Sequence, residues 1–308
     1  MEHAKIAVIV NTKSGPGSRD AIEPRLGAAF EALDTTPRIW FAGKGVDLAG
    51  LAQRAALGDA EVVVAGGGDG TVGAVAAAIL DSGKTLGVLP FGTMNHFAKD
   101  LGIPLDLEAA VATIVAGHST TIDVGDVNGR VFLNNSSLGL YPRVIRARAR
   151  QQRLGWHKWP AYLWAAMAVL RRNPFLEVRL TVDGKDLVGR TPFVFVGNNA
   201  YDLERFTVGG RARLDRGELS VYTTSHSGRL GLMGLALRAI VGGLRQDRDF
   251  LVFATNELWI RKRHRRARVA LDGEVTVMNP PLHYRIRPLA LRVLVPAPAS
   301  APAAVPGP

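Results

Sequence analysis

After Lys5, the run Ile-Ala-Val-Ile-Val10 is apolar at every position and ends in Asn11-Thr-Lys-Ser-Gly15. An unbroken apolar run stopped by turn residues predicts a buried strand. A helical stretch follows, then predicted strands around Arg38–Phe41 and Glu61–Ala65. Gly66-Gly-Gly-Asp-Gly-Thr71 interrupts the chain, and the alanine-rich segment Val72–Leu80 predicts a helix. Thr85–Leu89 is a further apolar strand, stopped by Pro90-Phe-Gly92. Strands alternating with helices across short glycine turns predict a parallel sheet with helices on both faces.

The period changes after about residue 125. Val127-Asn-Gly129 and Val182-Asp-Gly184 are hairpin signals between strand-like runs. Leu176–Val182, Thr191–Val196, Glu218–Thr223, Leu258–Arg263, Arg268–Leu271 and Tyr284–Ile286 suit an antiparallel β region, with apolar helical segments near 159–170 and 230–244. The tail after Pro296 is built from Ala, Pro, Ser and Gly, a composition expected to be disordered. The expected division is an α/β domain over 1–125, a β domain over 126–296 and a tail over 297–308.

A chain of 308 residues exceeds one ordinary core, which agrees with two domains. The absence of cysteine excludes a disulfide framework and thiolate metal sites. Lys and Arg exceed Asp and Glu by 38 − 27 = 11, which favours anionic partners such as phosphates or an acidic membrane surface. No acidic residue lies between Asp126 and Glu177, a stretch that carries Arg143, Arg146, Arg148, Arg150, Arg153, Lys158, Arg171 and Arg172. A second basic block runs from Arg261 to Arg268. The N-terminal sequence has no secretory pattern, and Trp159–Leu170 is shorter than the roughly 20 residues of a spanning helix. A cytoplasmic protein, peripheral at the inner face of a membrane, is the expectation.

Gly66-Gly-Gly-Asp-Gly-Thr71 follows a strand and opens a helix, which aims backbone N–H groups and a positive helix end at one point. Glycine permits close approach of a phosphate. The same residues also suit a plain strand-to-helix turn capped by Asp69. A dinucleotide fingerprint starting at Gly66 requires glycine at Thr71, and a P-loop ending in Gly83-Lys84-Thr85 requires glycine at Ala78, so both fail on spacing. Thr93 and Asn95 lie in a second strand-to-helix turn, where they also serve as ordinary caps. The two turns and Asn11-Thr-Lys-Ser-Gly15 each follow the carboxyl end of a strand, where open parallel sheets bind ligands.

The ordered set Asn11…Ser14-Gly15, Gly66-Gly-Gly-Asp-Gly-Thr71 and Pro90-x-Gly-Thr-x-Asn95-x-Phe-Ala98 resembles the diacylglycerol kinase catalytic-domain family. Phe132–Gly139, Leu214–Leu219 and Leu271-Asp-Gly-Glu274 extend the match over roughly residues 5–295. Within that family the chain looks like the bacterial soluble lipid kinases, related to sphingosine kinases and NAD kinases. The resemblance implies an α/β plus β fold: an N-terminal three-layer α/β domain with a parallel sheet, a C-terminal antiparallel β-sandwich, and ATP bound between them. It implies nucleotide contacts from Asn11, Ser14, Gly15, Gly67, Gly68, Asp69, Gly70, Thr71 and Thr93, and catalytic carboxylates at Asp272 and Glu274. Asp272-Gly273 by itself also reads as a hairpin turn. Mg²⁺ is the expected metal, with Asp69, Asp215 and Glu218 as candidate ligands. The chain departs from the family pattern at Gly73, Ala74 and His96, and at Arg216, where the family carries an aspartate that binds a structural Mg²⁺.

The expected activity is ATP-dependent phosphorylation of a hydroxyl on diacylglycerol or a related lipid. A catalytically impaired nucleotide- or lipid-binding regulator and a small-molecule kinase of the NAD kinase type are the alternatives. Trp156, Trp159, Tyr162 and Trp164 beside the arginines suit an anionic membrane interface, and equally a core helix with a basic flank. No recognised nucleic-acid motif accompanies them, so nucleic acid is not an expected partner; a homodimer is.

Overall fold

The computed structural model describes residues 5–13, 18–43, 45–139, 176–182, 185–201, 210–224, 250–262 and 266–297. The predicted segments 159–170 and 230–244, the basic aromatic stretch 143–172, Ser14, Gly15 and the tail from 298 lie outside the described residues. The chain divides into two compact units, residues 1–121 with 291–308, and residues 122–290. Local signals suggested boundaries near 125 and 296. The return of Leu291 onward to the first unit depends on strand pairing, which no local signal carries.

In the first unit β1 (Ile6–Asn11), β2 (Arg38–Ala42), β3 (Val62–Gly67) and β4 (Thr85–Pro90) pair in the order β2-β1-β3-β4, all parallel. The end of the last strand, β16 (Leu282–Leu294), adds beside β4 in parallel, with Val293 opposite Leu86. Ile6–Val10 and Val62–Gly67 are buried throughout, as the continuous apolar runs require of strands covered on both faces. Helix α1 (Arg19–Glu31) packs with α5 (Leu107–Ala116), and α2 (Leu48–Leu57) packs with α3 (Asp69–Ile79). Asp47 caps α2 by accepting from Ala49 N and Gly50 N at 3.2 and 3.1 Å, and Asp106 caps α5 through Ala109 N at 3.0 Å. The predicted helix over Val72–Leu80 starts three residues earlier, because Gly68 turns the chain directly out of β3 into α3.

The second unit is antiparallel. One sheet joins β16, β13 (Glu257–Lys262), β8 (Leu176–Val182) and β9 (Lys185–Thr191), and β16 also pairs with β5 (Ser119–Val127), which carries β6 (Arg130–Phe132). The other sheet runs β12 (Leu251–Thr255), β11 (Leu219–Thr223), β10 (Phe193–Asn198), β7 (Asn135–Gly139), β14 (Ala267–Leu271), β15 (Glu274–Met278). Their facing apolar residues, among them Val178, Leu180, Val196, Val221, Leu258 and Val269, form one core, so the unit is a sandwich. Asn128-Gly129 turns with φ of 49° and 78°, the hairpin geometry its sequence predicts. Thr191–Val196, expected as one strand, is two: Pro192 lacks the N–H a ladder needs and separates β9 from β10. Tyr284–Ile286 proves to be part of a thirteen-residue strand.

Tyr284 is fully buried in the core of the sandwich, its hydroxyl 2.9 Å from Ser136 Oγ and its ring edge-on to Phe132. Tyr284→Phe leaves the buried Ser136 hydroxyl without this partner, so we expect a stability loss of about 1–2 kcal/mol, read from the urea unfolding midpoint.

Candidate functional site

In the order β2-β1-β3-β4 the chain leaves β1 to one side for β2 and later returns on the other side with β3. In open α/β sheets ligands bind beyond the carboxyl ends of the strands at such a reversal. Asn11 ends β1, Gly66-Gly67 ends β3 and Pro90 ends β4. The two glycine turns are neighbours: Gly67 pairs with Pro90 in register, and Phe91 N donates to Gly67 O at 3.1 Å.

The fit of these turns demands glycine. A Cβ on Gly67 would stand 2.5 Å from Thr71 Oγ1, and one on Gly92 would stand 2.4 Å from Gly68 Cα. Asn11 Nδ2 donates to Thr71 Oγ1 at 3.0 Å, tying the end of β1 to the first turn of α3. Asn95, at φ 50°, donates to Pro90 O at 3.0 Å and Gly92 O at 2.8 Å. Asp69 reaches from one turn to the other, with its two oxygens accepting His96 N at 3.2 Å and Phe97 N at 3.0 Å. It thus caps α4 (His96–Asp100), a role that Asn95 at the N-cap position does not perform with its own side chain. Helix α3 opens at Gly68 with no side-chain cap, so the positive end of an eleven-residue helix lies at this corner. Gly70 sits half-buried in its first turn, Thr71 is buried, and Thr93 is exposed at the tip of the second turn. A cluster of backbone donors at a helix start, bounded by glycines, is suited to phosphate oxygens.

The second unit holds Asp272 and Glu274 on the turn between β14 and β15. Asp272-Gly273 has φ of 45° and 88°, a tight turn closed by the pair Leu271 and Glu274. Asp272 is also an electrostatic centre. Its Oδ1 accepts Asn134 N at 2.8 Å and Asn135 N at 3.0 Å, its Oδ2 accepts Leu133 N at 2.8 Å, and its own N–H donates to Asn135 O at 2.9 Å. Burial pushes the Asp272 carboxyl above its ordinary value, while the three amides and the charge of Arg211 pull it back. Glu274 is exposed.

Sequence reasoning did not single out the groups around this centre. Arg211 is buried and donates to Leu133 O at 2.6 Å, Asn198 O at 2.9 Å and Asn134 Oδ1 at 2.8 Å. Asp123, fully buried, accepts from Gly217 N at 2.6 Å, Leu289 N at 2.8 Å and Asn199 Nδ2 at 3.1 Å. The signal available was the pair of doublets Asn134-Asn135 and Asn198-Asn199 at strand ends, where amides serve buried polar networks.

The profile of the diacylglycerol kinase catalytic domain matches residues 5–127, and that of the YegS C-terminal NAD kinase beta sandwich-like domain matches residues 139–295. The chain belongs to the diacylglycerol kinase catalytic-domain family. A relative named diacylglycerol kinase from Staphylococcus carnosus (strain TM300) is 29% identical over 239 residues, 75% of this chain and 77% of that protein. One of the same name from Staphylococcus aureus (strain JH9) is 32% identical over 195 residues, 61% of each chain, so the match spans about three fifths of that protein's length. A crystal structure of a diacylglycerol kinase from Bacillus anthracis str. Sterne superposes with a TM-score of 0.68, covering 99% of this chain and 100% of that one at 21% identity, which bears on fold. Membership places this diacylglycerol kinase-family protein among the phosphotransferases.

The carboxylates expected to hold metal divide between the units. In the second, both oxygens of Asp215 are taken by Arg213 at 2.9 Å, which lowers its pKa, and Glu218 lies 3.9 Å from Arg216. Arg216 N donates to Asn199 Oδ1 at 3.0 Å and Gly217 N to Asp123, so the turn is closed by protein groups alone. Among the described residues no three His, Asp or Glu converge as metal ligands. Asp215 and Glu218, each facing an arginine, do not fit a structural Mg²⁺. Asp69 is different: each oxygen accepts one amide and retains a lone pair, which suits a metal that arrives with phosphate.

Two outcomes follow from this geometry. Asp69→Ala removes two charge-assisted bonds that join the turns and cap α4, so unfolding free energy should fall by about 1–3 kcal/mol in denaturant titration. Without nucleotide, replacing Mg²⁺ by EDTA should leave the thermal midpoint unchanged, since Arg213 and Arg216 already face the 215–218 carboxylates.

Proposed function

We propose that this protein is an ATP-dependent lipid kinase that transfers the γ-phosphoryl group to a hydroxyl of diacylglycerol or a related lipid. The observation that carries the reading is the joining of Asn11, Gly67–Thr71 and Pro90–Asn95 at the carboxyl ends of neighbouring strands. The names of the relatives favour lipid as the acceptor. No helix among the described residues is long and apolar enough to cross a membrane, and the reading takes the enzyme to its lipid from one side of an anionic bilayer. In this reading Gly67, Gly68, Gly70 and the opening of α3 bind the polyphosphate, with Asn11, Thr71 and Thr93 around it, and Ser14 and Gly15, which lie outside the described residues, as further contacts. Asp69 would hold a Mg²⁺ carried with the nucleotide, which would neutralise phosphate charge.

Phosphoryl transfer then asks the protein for position and for an acceptor of the hydroxyl proton. The lipid oxygen bonds to the γ-phosphorus, the bond from that phosphorus to the bridging oxygen breaks, and ADP leaves with the electron pair. The hydroxyl proton passes to Asp272. Oδ1 already accepts two amides, whereas Oδ2 accepts one, so Oδ2 is the oxygen with capacity for that proton. Glu274, on the same turn and exposed, is the assisting carboxylate.

Incubation with γ-labelled ATP and a total lipid extract should place label in the lipid fraction. Label that stays in ATP and inorganic phosphate across the extract would sink the reading. Asp272→Asn should lower turnover on the order of 10²–10⁴-fold and leave ATP affinity unchanged, as measured by steady-state kinetics and calorimetry. The base works deprotonated and burial raises its pKa, so kcat should decline as pH falls through a value above that of an ordinary aspartate, and this acid limb should vanish from the residual activity of Asp272→Asn.

A further inference from the structure

We propose that Arg211 is a positioning residue that holds the Leu133–Asn135 segment against Asp272 and so fixes the direction of its carboxylate. The proposal rests on the role given to Asp272 above. The segment lies between the buried Arg211 and the half-buried Asp272. Its three amides donate to the Asp272 carboxylate at 2.8, 2.8 and 3.0 Å. Two of its oxygens, Leu133 O and Asn134 Oδ1, accept from Arg211 at 2.6 and 2.8 Å. Cation and anion therefore polarise the same short peptide from opposite ends, and charge-assisted hydrogen bonds of this kind are stronger and more directional than neutral ones.

The anchoring of Arg211 is itself specific. Its third hydrogen bond goes to Asn198 O, while Asn198 N donates to Asn134 O and Asn198 Nδ2 to Leu133 O, each at 2.9 Å. The Tyr201 ring lies 5.5 Å from the guanidinium carbon, and the Tyr201 hydroxyl accepts Asn135 Nδ2 at 3.2 Å. A planar guanidinium serves acceptors in several directions at once. An ammonium is a single point charge and does not reproduce that fork, so lysine is an informative replacement.

The test compares Arg211→Lys with wild type in two readouts, amide hydrogen exchange at Leu133, Asn134 and Asn135, and steady-state kinetics with ATP and the lipid fraction. The expected result is exchange about tenfold faster at those amides with the amides of β11 and β12 unaffected. It should be accompanied by a kcat lowered about 10- to 100-fold and a KM for ATP unchanged, the size of loss a small misplacement of a catalytic group produces. A folded variant with native exchange, or with faster exchange and native kcat, overturns the proposal. If Arg211→Lys does not fold, Asn134→Ala, which deletes only the side-chain acceptor, is judged by the same results. If wild type phosphorylates no lipid, the kinase reading falls and the exchange readout alone decides whether Arg211 governs the segment.

Discussion

An aspartate that accepts main-chain amides distant in sequence is the interaction on which the rest of this protein depends, and among the described residues it occurs three times. Asp69 takes His96 N and Phe97 N, Asp123 takes Gly217 N and Leu289 N, and Asp272 takes the amides of Leu133, Asn134 and Asn135. Loops carry backbone groups that strands and helices have not satisfied, and leaving such groups buried and unpaired is costly. A carboxylate with two oxygens meets several of them at one point. Each aspartate thereby fixes segments that lie far apart in the sequence.

In the first unit that constraint serves the phosphate binding proposed above. Asp69 draws two strand-to-helix turns together, and the backbones approach so closely that a Cβ on Gly92 would stand 2.4 Å from Gly68 Cα. The cost is the conformational freedom of glycine. The gain is a concave backbone corner at a helix start, where the ligand supplies the charge. A side-chain pocket of the same size would have to bury lysines or arginines to do as much.

In the second unit the same device serves orientation. Asp272 sits on a turn whose backbone would be content with solvent, yet its carboxylate is pulled inward by three amides whose oxygens answer to Arg211. The 213–218 turn shows the other side of this economy. Asp123 accepts Gly217 N, and arginines face Asp215 and Glu218, so protein groups alone satisfy the turn.

Apolar runs and glycine turns were sufficient for β1, β3, β4 and α3, because a strand covered on both faces must be apolar throughout and only glycine allows the turns that follow. Asn128-Gly129 was legible as a hairpin for the same local reason. Pairing was another matter. That Leu291–Leu294 returns to the first unit beside β4, that Pro192 splits one apolar run into two strands, and that Gly68 meets Gly92 depend on which strands become neighbours, and no window of sequence contains both partners. Asp272-Gly273 makes the distinction sharpest. Its sequence specifies a tight turn and nothing more, whereas its inward carboxylate exists only because β7 lies beside β14. Arg211 was invisible altogether, since an arginine between Gly210 and Ala212 reads as a solvated charge until the fold closes around it.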